Sequence, residues 1–195
     1  MIYDALEILR SEASDYLKSL PELNLTGNKA VALSNVAKED GSIAIPSNSL
    51  GLSLANIEEE RVVRDQKPHR SNADGSISHL NPEIRLNLFV MFTAHFTDYK
   101  TSLQFIAGVI RFFQRKSVFT PANSPAMPVG IEKLLVELYP LNLEQQNNLW
   151  AAIGAKYLPS VLYKVRAISI QEAQAKDQQL PITTIHIVGK GKEAG

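Results

Sequence analysis

Residues 84–96, I-R-L-N-L-F-V-M-F-T-A-H-F, constrain the fold more than any other stretch of this chain. Ile84, Leu86, Leu88, Val90, Phe92, Ala94 and Phe96 alternate onto one face of an extended strand, the period of two that a pleated backbone imposes. The opposite face carries Arg85, Asn87, Phe89, Met91, Thr93 and His95, and it turns apolar in its middle. A strand with one solvated face stays polar on that side, so this pattern predicts a central strand covered on both faces. Such a strand needs packed layers on each side of its sheet. At 195 residues, 45% of them apolar, the chain can bury one core of that kind.

The remaining periodicities supply the layers. Ile2, Leu6, Leu9, Ala13, Tyr16, Leu17 and Leu20 recur at threes and fours, which predicts an amphipathic helix over 2–20, ended by Pro21. Residues 30–36 are short and β-prone. Leu50, Leu52 and Leu54 alternate with Gly51, Ser53 and Ala55, a strand whose small-residue face admits close packing. Asp98 stands at the start of a helix running to about residue 114. Its buried stripe is expected at Tyr99, Leu103, Ile106, Ile110 and Phe113, with Phe105 and Phe112 forming a second aromatic edge that marks a broad buried face or a partner. Residues 131–139 predict a strand. Asn142 and Gln145 have the spacing of a capping box, and Gly154 ends or bends the helix that follows. Trp150 on that helix is expected to bury its ring against the strand at 161–170 or the central sheet. The sum is a single-domain mixed α/β (α+β) fold, a central sheet flanked by helices, over residues 1–170.

Three segments fall outside these patterns. Residues 65–81, rich in Asn, Ser, Asp and Pro, read as a long loop, either a contact loop or disordered. Residues 119–129 hold Pro121, Pro125 and Pro128 and read as a second loop. Residues 171–195 read as a C-terminal extension or arm. In it a polar spacer, 171–180, precedes a short β-prone segment containing Ile185 and Ile187. That segment either returns to its own sheet or adds to a neighbouring subunit, and ten extended residues reaching roughly 30 Å favour the neighbour.

Residues that could carry chemistry are sparse. The chain has no cysteine, which removes disulfides, thiolate nucleophiles and cysteine zinc sites together. His69, His79, His95 and His186 are scattered, none at i,i+4. There is no G-x-S-x-G, and Gly189-Lys190-Gly191-Lys192 lacks the spacing of a phosphate loop. His95, Asp98 and the carboxylates of Glu58, Glu59 and Glu60 are the acid–base groups an enzyme would have to use. The acidic run followed by Arg61 and Arg64 reads instead as a solvated or interface strip, and such a strip sets register and partner choice. Lys164 and Arg166 share one face of a strand and Tyr163 and Val165 the other, a solvated or partner-facing basic edge. Twenty basic residues balance twenty acidic ones, which argues against nucleic acid as a partner. Asp4, Glu7 and Glu12 interrupt the N-terminus where a signal peptide would be basic and then apolar. No window has the roughly 18–20 apolar residues of a membrane span. Catalytic, cofactor and metal residues are expected to be absent, and the candidate interface consists of Glu58, Glu59, Glu60, Arg61, Arg64, Lys164, Arg166, Ile185 and Ile187.

A series of blocks resembles the cap, or tail-terminator, proteins of phage-tail-like contractile injection systems. They are M-I-Y-D-A-L-E-I-L-R at 1–10, L-S-N-V-A at 33–37, L-A-N-I-E-E-E at 54–60, N-P-E-I-R-L-N-L-F-V-M-F-T-A-H-F at 81–96, I-R-F-F-Q-R-K-S-V-F-T at 110–120, and the run from L-L-V-E-L-Y-P at 134 to Y-K-V-R at 166. The resemblance implies a tail-terminator-like fold and a structural role. The protein would form a hexameric ring that closes the distal end of the inner tube, meets the last sheath layer and stops growth. Its partners would be itself, the tube protein and the sheath protein, with no cofactor and no membrane, in the cytoplasm where the particle assembles. Some relatives carry an added C-terminal domain, for which this chain has no room. An adaptor or scaffold module of another assembly is the alternative.

Overall fold

The computed structural model describes residues 1–23, 30–60, 69–71, 77–79, 84–170 and 177–179. Along the chain run α1 (Ile2–Lys18), β1 (Val31–Leu33), β2 (Ser49–Glu59), β3 (His69–Ser71), β4 (Ile77–His79), β5 (Ile84–His95), α2 (Tyr99–Arg115), β6 (Val118–Phe119), β7 (Leu134–Leu138), α3 (Leu143–Ile153), β8 (Ser160–Ile170) and β9 (Asp177–Gln179). They form a mixed α/β fold. One compact unit comprises Met1–Val62 with Ile84–Ile170, and a second comprises Val63–Glu83 with Gln171–Gly195.

The first unit holds a six-stranded sheet in the order β1-β2-β5-β8-β7-β6. Only β1 and β2 run parallel; every other neighbouring pair is antiparallel. The strand over 84–95 is therefore central, as its two apolar faces require. Leu88, Val90, Phe92 and Ala94 enter one core with α1 and α2, which also takes Leu50, Leu52, Phe105, Phe113 and Tyr163. Phe89 and Met91 enter a second, smaller core on the other face, with Val36, Ile45, Trp150 and Leu162. Trp150 is thus buried where the sequence put it.

The helix termini follow local chemistry. Asp98 caps α2 by accepting a hydrogen bond from the Thr101 N–H at 2.9 Å. Asn142 and Gln145 complete a reciprocal capping box on α3, and Gly154 closes that helix at φ 72°. After α1 the chain makes a 3₁₀ turn at Pro21–Leu23. Two glycines mark close approaches. A Cβ on Gly108 would lie 2.6 Å from Leu17 Cδ2, so its absence lets α1 and α2 pack tightly. A Cβ on Gly51 would lie 2.6 Å from both Cγ1 and Cδ1 of Ile45, the close packing that the small-residue face of β2 anticipates. Ile45 is β-branched and buried, so it has little room to yield. Gly51→Ala should cost about 1–3 kcal/mol by overpacking. A lowered urea midpoint at unchanged slope would show this, and an unchanged midpoint would show that Ile45 gives way.

Two expectations are corrected. The expected buried stripe of α2 holds only in part. Phe113 is buried and Ile106 packs on the core, but Tyr99, Leu103 and Ile110 remain 66%, 46% and 40% exposed, and Phe105, Val109 and Phe112 turn inward instead. Of the two apolar edges, the one with Phe105 and Phe112 is buried, because a buried ring removes much apolar surface from water. The stretch 65–81 is not all loop: it holds β3 and β4, which pair with each other, and β4 pairs with β9 from the polar spacer. These three strands form the sheet of the second unit, with His69 in register with His79.

Candidate protein interface

The sheet collects charged residues from three strands, β2, β7 and β8, onto one face, with Asn87 and Phe89 of β5 between them. Residues directly opposed in antiparallel strands share a face. Glu58 opposes Asn87, Phe89 opposes Lys164, and Lys164 opposes Glu137. Arg166, two residues beyond Lys164, lies on that face too. This is the face that carries α3 and the Trp150 core.

Arg166, Glu137, Lys164 and Asn87 are each held by a neighbour. Arg166 Nη2 reaches Glu137 Oε2 at 2.7 Å, a half-exposed pair worth about 0–1 kcal/mol. Lys164 Nζ sits 5.6 Å from the centroid of the Phe89 ring, a cation–π distance. Tyr139 meets the same ring edge-on at 5.0 Å. Asn87 Nδ2 donates to Glu60 Oε2 at 2.9 Å. Asn87 is buried, and its Oδ1 has no hydrogen-bond partner among the described residues.

The strand register places Glu58, Lys164 and Arg166 on one face of the sheet, with Asn87, Phe89 and Glu137 as members that the sequence did not single out, and Glu60 is tied to that face through Asn87. Glu59 opposes Leu86 and belongs to the other face. Arg61, Arg64, Ile185 and Ile187 lie outside the described residues.

The arrangement suits docking. Acidic and basic groups alternate across the sheet, a pattern that can set register and orientation for a docking partner. A stacking surface for nucleic acid is not assembled around Lys164 and Arg166. Tyr163 is buried on the opposite face, where loss of solvent pushes its phenol pKa far above the usual value.

Glu58 lies far from His95. His95 and Asn87, which opposes Glu58, are eight residues apart along β5, about 26 Å at 3.3 Å per residue. His95 Nδ1 lies 2.8 Å from the Ile45 carbonyl oxygen and donates to it. Asp98 accepts from the Thr101 hydroxyl at 2.7 Å as well as from its N–H, and these bonds hold its carboxyl below the usual carboxylate pKa. Both residues are occupied structurally.

Two further features escaped the sequence. A groove of about 430 Å³ beside α3 is lined by Leu143, Gln146, Asn147, Trp150 and Tyr157. The exposed apolar stripe of α2 is the other. The signal for that stripe was present, since the helix pattern shows two apolar edges, but periodicity placed Tyr99, Leu103 and Ile110 on the buried side.

No curated protein matches the chain. Among solved structures, the sheath/tube terminator of PVC, an extracellular contractile injection system, in its extended state is similar over 99% of this chain, with a TM-score of 0.63 and 13% identity. The tube-terminating cap of the anti-feeding prophage is similar over 83% of this chain, with a TM-score of 0.51 and 16% identity. At these identities the likeness concerns the fold. The chain covers 64% and 55% of those two chains. The family model for the Pvc16 N-terminal domain matches residues 4–184, which takes in the six-stranded sheet, α2, α3, nearly all of α1 and, apart from residues 1–3, every block that resembles cap proteins, and the chain belongs to the Pvc16 N-terminal domain family.

Proposed function

We propose that this protein is a structural cap of a contractile injection system. It closes the distal end of the inner tube, contacts the last sheath layer and stops polymerisation. It works as a six-membered ring, without catalysis, and is assembled in the cytoplasm with the rest of the particle. The observation that carries the reading is the fold likeness to a sheath/tube terminator over 99% of the chain, within the family matched at residues 4–184. The distance of Glu58 from His95, and the structural hydrogen bonds that occupy His95 and Asp98, support a non-enzymatic role. Among the described residues no helix is long and apolar enough to cross a membrane.

The physics of termination is simple. A tube grows because each layer offers the next a copy of the surface on which it docked. A cap docks on the last layer and offers a different outer surface, so growth ends there. The alternating-charge face at Glu58, Lys164, Glu137 and Arg166 suits such an end-on contact, because it sets register. Residues 1–170 form the cap body and residues 171–195 an assembly arm.

Purified protein mixed with its tube protein should decorate tubes at one pole in negative stain and halt their elongation. A chain ending at Ile170 should fold and bind tube or sheath more weakly. Protein that never associates with tube or sheath would overturn the cap reading. Truncated protein that caps as well as the full chain would overturn the arm.

A further inference from the structure

Two exposed patches on this chain match each other chemically. α2 leaves Tyr99, Leu103 and Ile110 uncovered along one side and carries three cations, Lys100, Arg111 and Arg115, with no acidic residue within the helix. Arg111 pairs with Glu22 at 2.8 Å, and Lys100 and Arg115 are exposed. The second patch is the outer edge of β2. β1 pairs with β2 only as far as Leu52, and no other described strand covers the edge beyond it. Along this edge Leu54 and Ile57 are 38% and 43% exposed on the same face as exposed Glu59, exposed Glu58 flanks the edge from the opposite face, and the strand contains no basic residue.

One patch is apolar and basic, the other apolar and acidic, and neither is covered within the described chain. An open strand edge with apolar side chains is a hazard unless something packs over it. Two different complementary patches on one chain generate a heterologous contact, which repeats head to tail and closes into a ring when the rotation allows. Opposite charges around an apolar centre orient the docking and exclude the reversed pairing.

We infer that the exposed side of α2 in one copy docks on the open outer edge of β2 in the next, and that this contact joins the protein to itself. The inference deepens the cap reading and rests on it for the closed ring, while the contact stands on the two patches. Its partner is a second copy of this chain. The apolar residues at its centre are Leu103 and Ile110 on one side and Leu54 and Ile57 on the other.

The test uses the full chain without tube or sheath protein and measures mass by sedimentation. Wild type should assemble, more weakly as salt rises. A variant with Leu103→Asp and Ile110→Asp should be monomeric, and so should one with Ile57→Lys and Glu58→Lys, each with near-wild-type melting because the positions are exposed. Mixed together, these two variants should form a heterodimer, since each retains the half that the other has lost. If the apolar changes disturb folding, Lys100→Glu with Arg115→Glu serves instead. It should weaken self-association at least about tenfold and regain binding when mixed with Glu58→Lys/Glu59→Lys. Monomeric wild type, variants that assemble as wild type does, or mixtures that yield no heterodimer would each overturn the contact. Wild type that decorates tube ends yet never self-associates removes this contact and leaves the cap. Wild type that forms rings and ignores tubes does the reverse.

Discussion

Replacing Phe92 by alanine should destabilise the protein by about 3–5 kcal/mol, the loss typical of a buried ring in a core that cannot collapse around the gap. Phe92 is fully buried on the central strand. Its ring meets Phe113 of α2 at 5.5 Å and Tyr163 of β8 at 6.1 Å, both edge-on. The substitution therefore opens a cavity where α2, β5 and β8 meet. Domains of this size are typically stable by about 5–15 kcal/mol, so the variant should lie near the margin of folding. Urea denaturation followed by tryptophan fluorescence measures the change. Phe92→Leu, which keeps most of the volume, should lose far less. A loss below about 1.5 kcal/mol for the alanine variant would mean that β5 is not the centre of the core.

Trp150→Ala should cost about 3–5 kcal/mol as well, through the opposite face of the sheet. Trp150 is 5% exposed and is the one residue of α3 classed as buried. It packs in the cluster of Phe89, Met91 and Leu162, with Tyr157 edge-on at 5.4 Å. Removing the indole takes away most of what docks α3 on the sheet, although the capping box would still favour a helix locally. As the single tryptophan of the chain, it also reports on its own surroundings. Wild-type emission should be blue-shifted and move to the red on unfolding. An unchanged melting temperature in the alanine variant, together with red emission in the folded wild type, would place the ring at the surface.

Part of the candidate interface was legible because strand alternation is local. Lys164 and Arg166 on one side and Tyr163 and Val165 on the other follow from the period of two, and the structure keeps that division. That Glu58 and Lys164 share a face on either side of β5 was not legible. Their separation in sequence is large, and only strand order puts β2 and β8 on either side of β5. Phe89 and Asn87 entered the site for the same reason: they lie on the strand between the two.

The sequence alone determined the features whose cause is local. Both faces of residues 84–96 are apolar at mid-strand, so the strand had to be interior. Asp98, Asn142, Gln145 and Gly154 carry the side chains, or the lack of one, that satisfy helix ends within a turn, so those boundaries fell where the residues stand. The small residues of β2 announced a close neighbour, though not that it would be Ile45. Tertiary structure alone decided which of two apolar stripes on α2 faces inward. Both have helical spacing, and the choice depends on how much surface each buries against β5, β8 and α1, which periodicity does not measure. It likewise decided that 65–81 holds two strands, because pairing β4 with β9 depends on a segment about a hundred residues away along the chain. Exposure of Tyr99, Leu103 and Ile110 follows from the first of these choices, and with it the surface offered to a second copy.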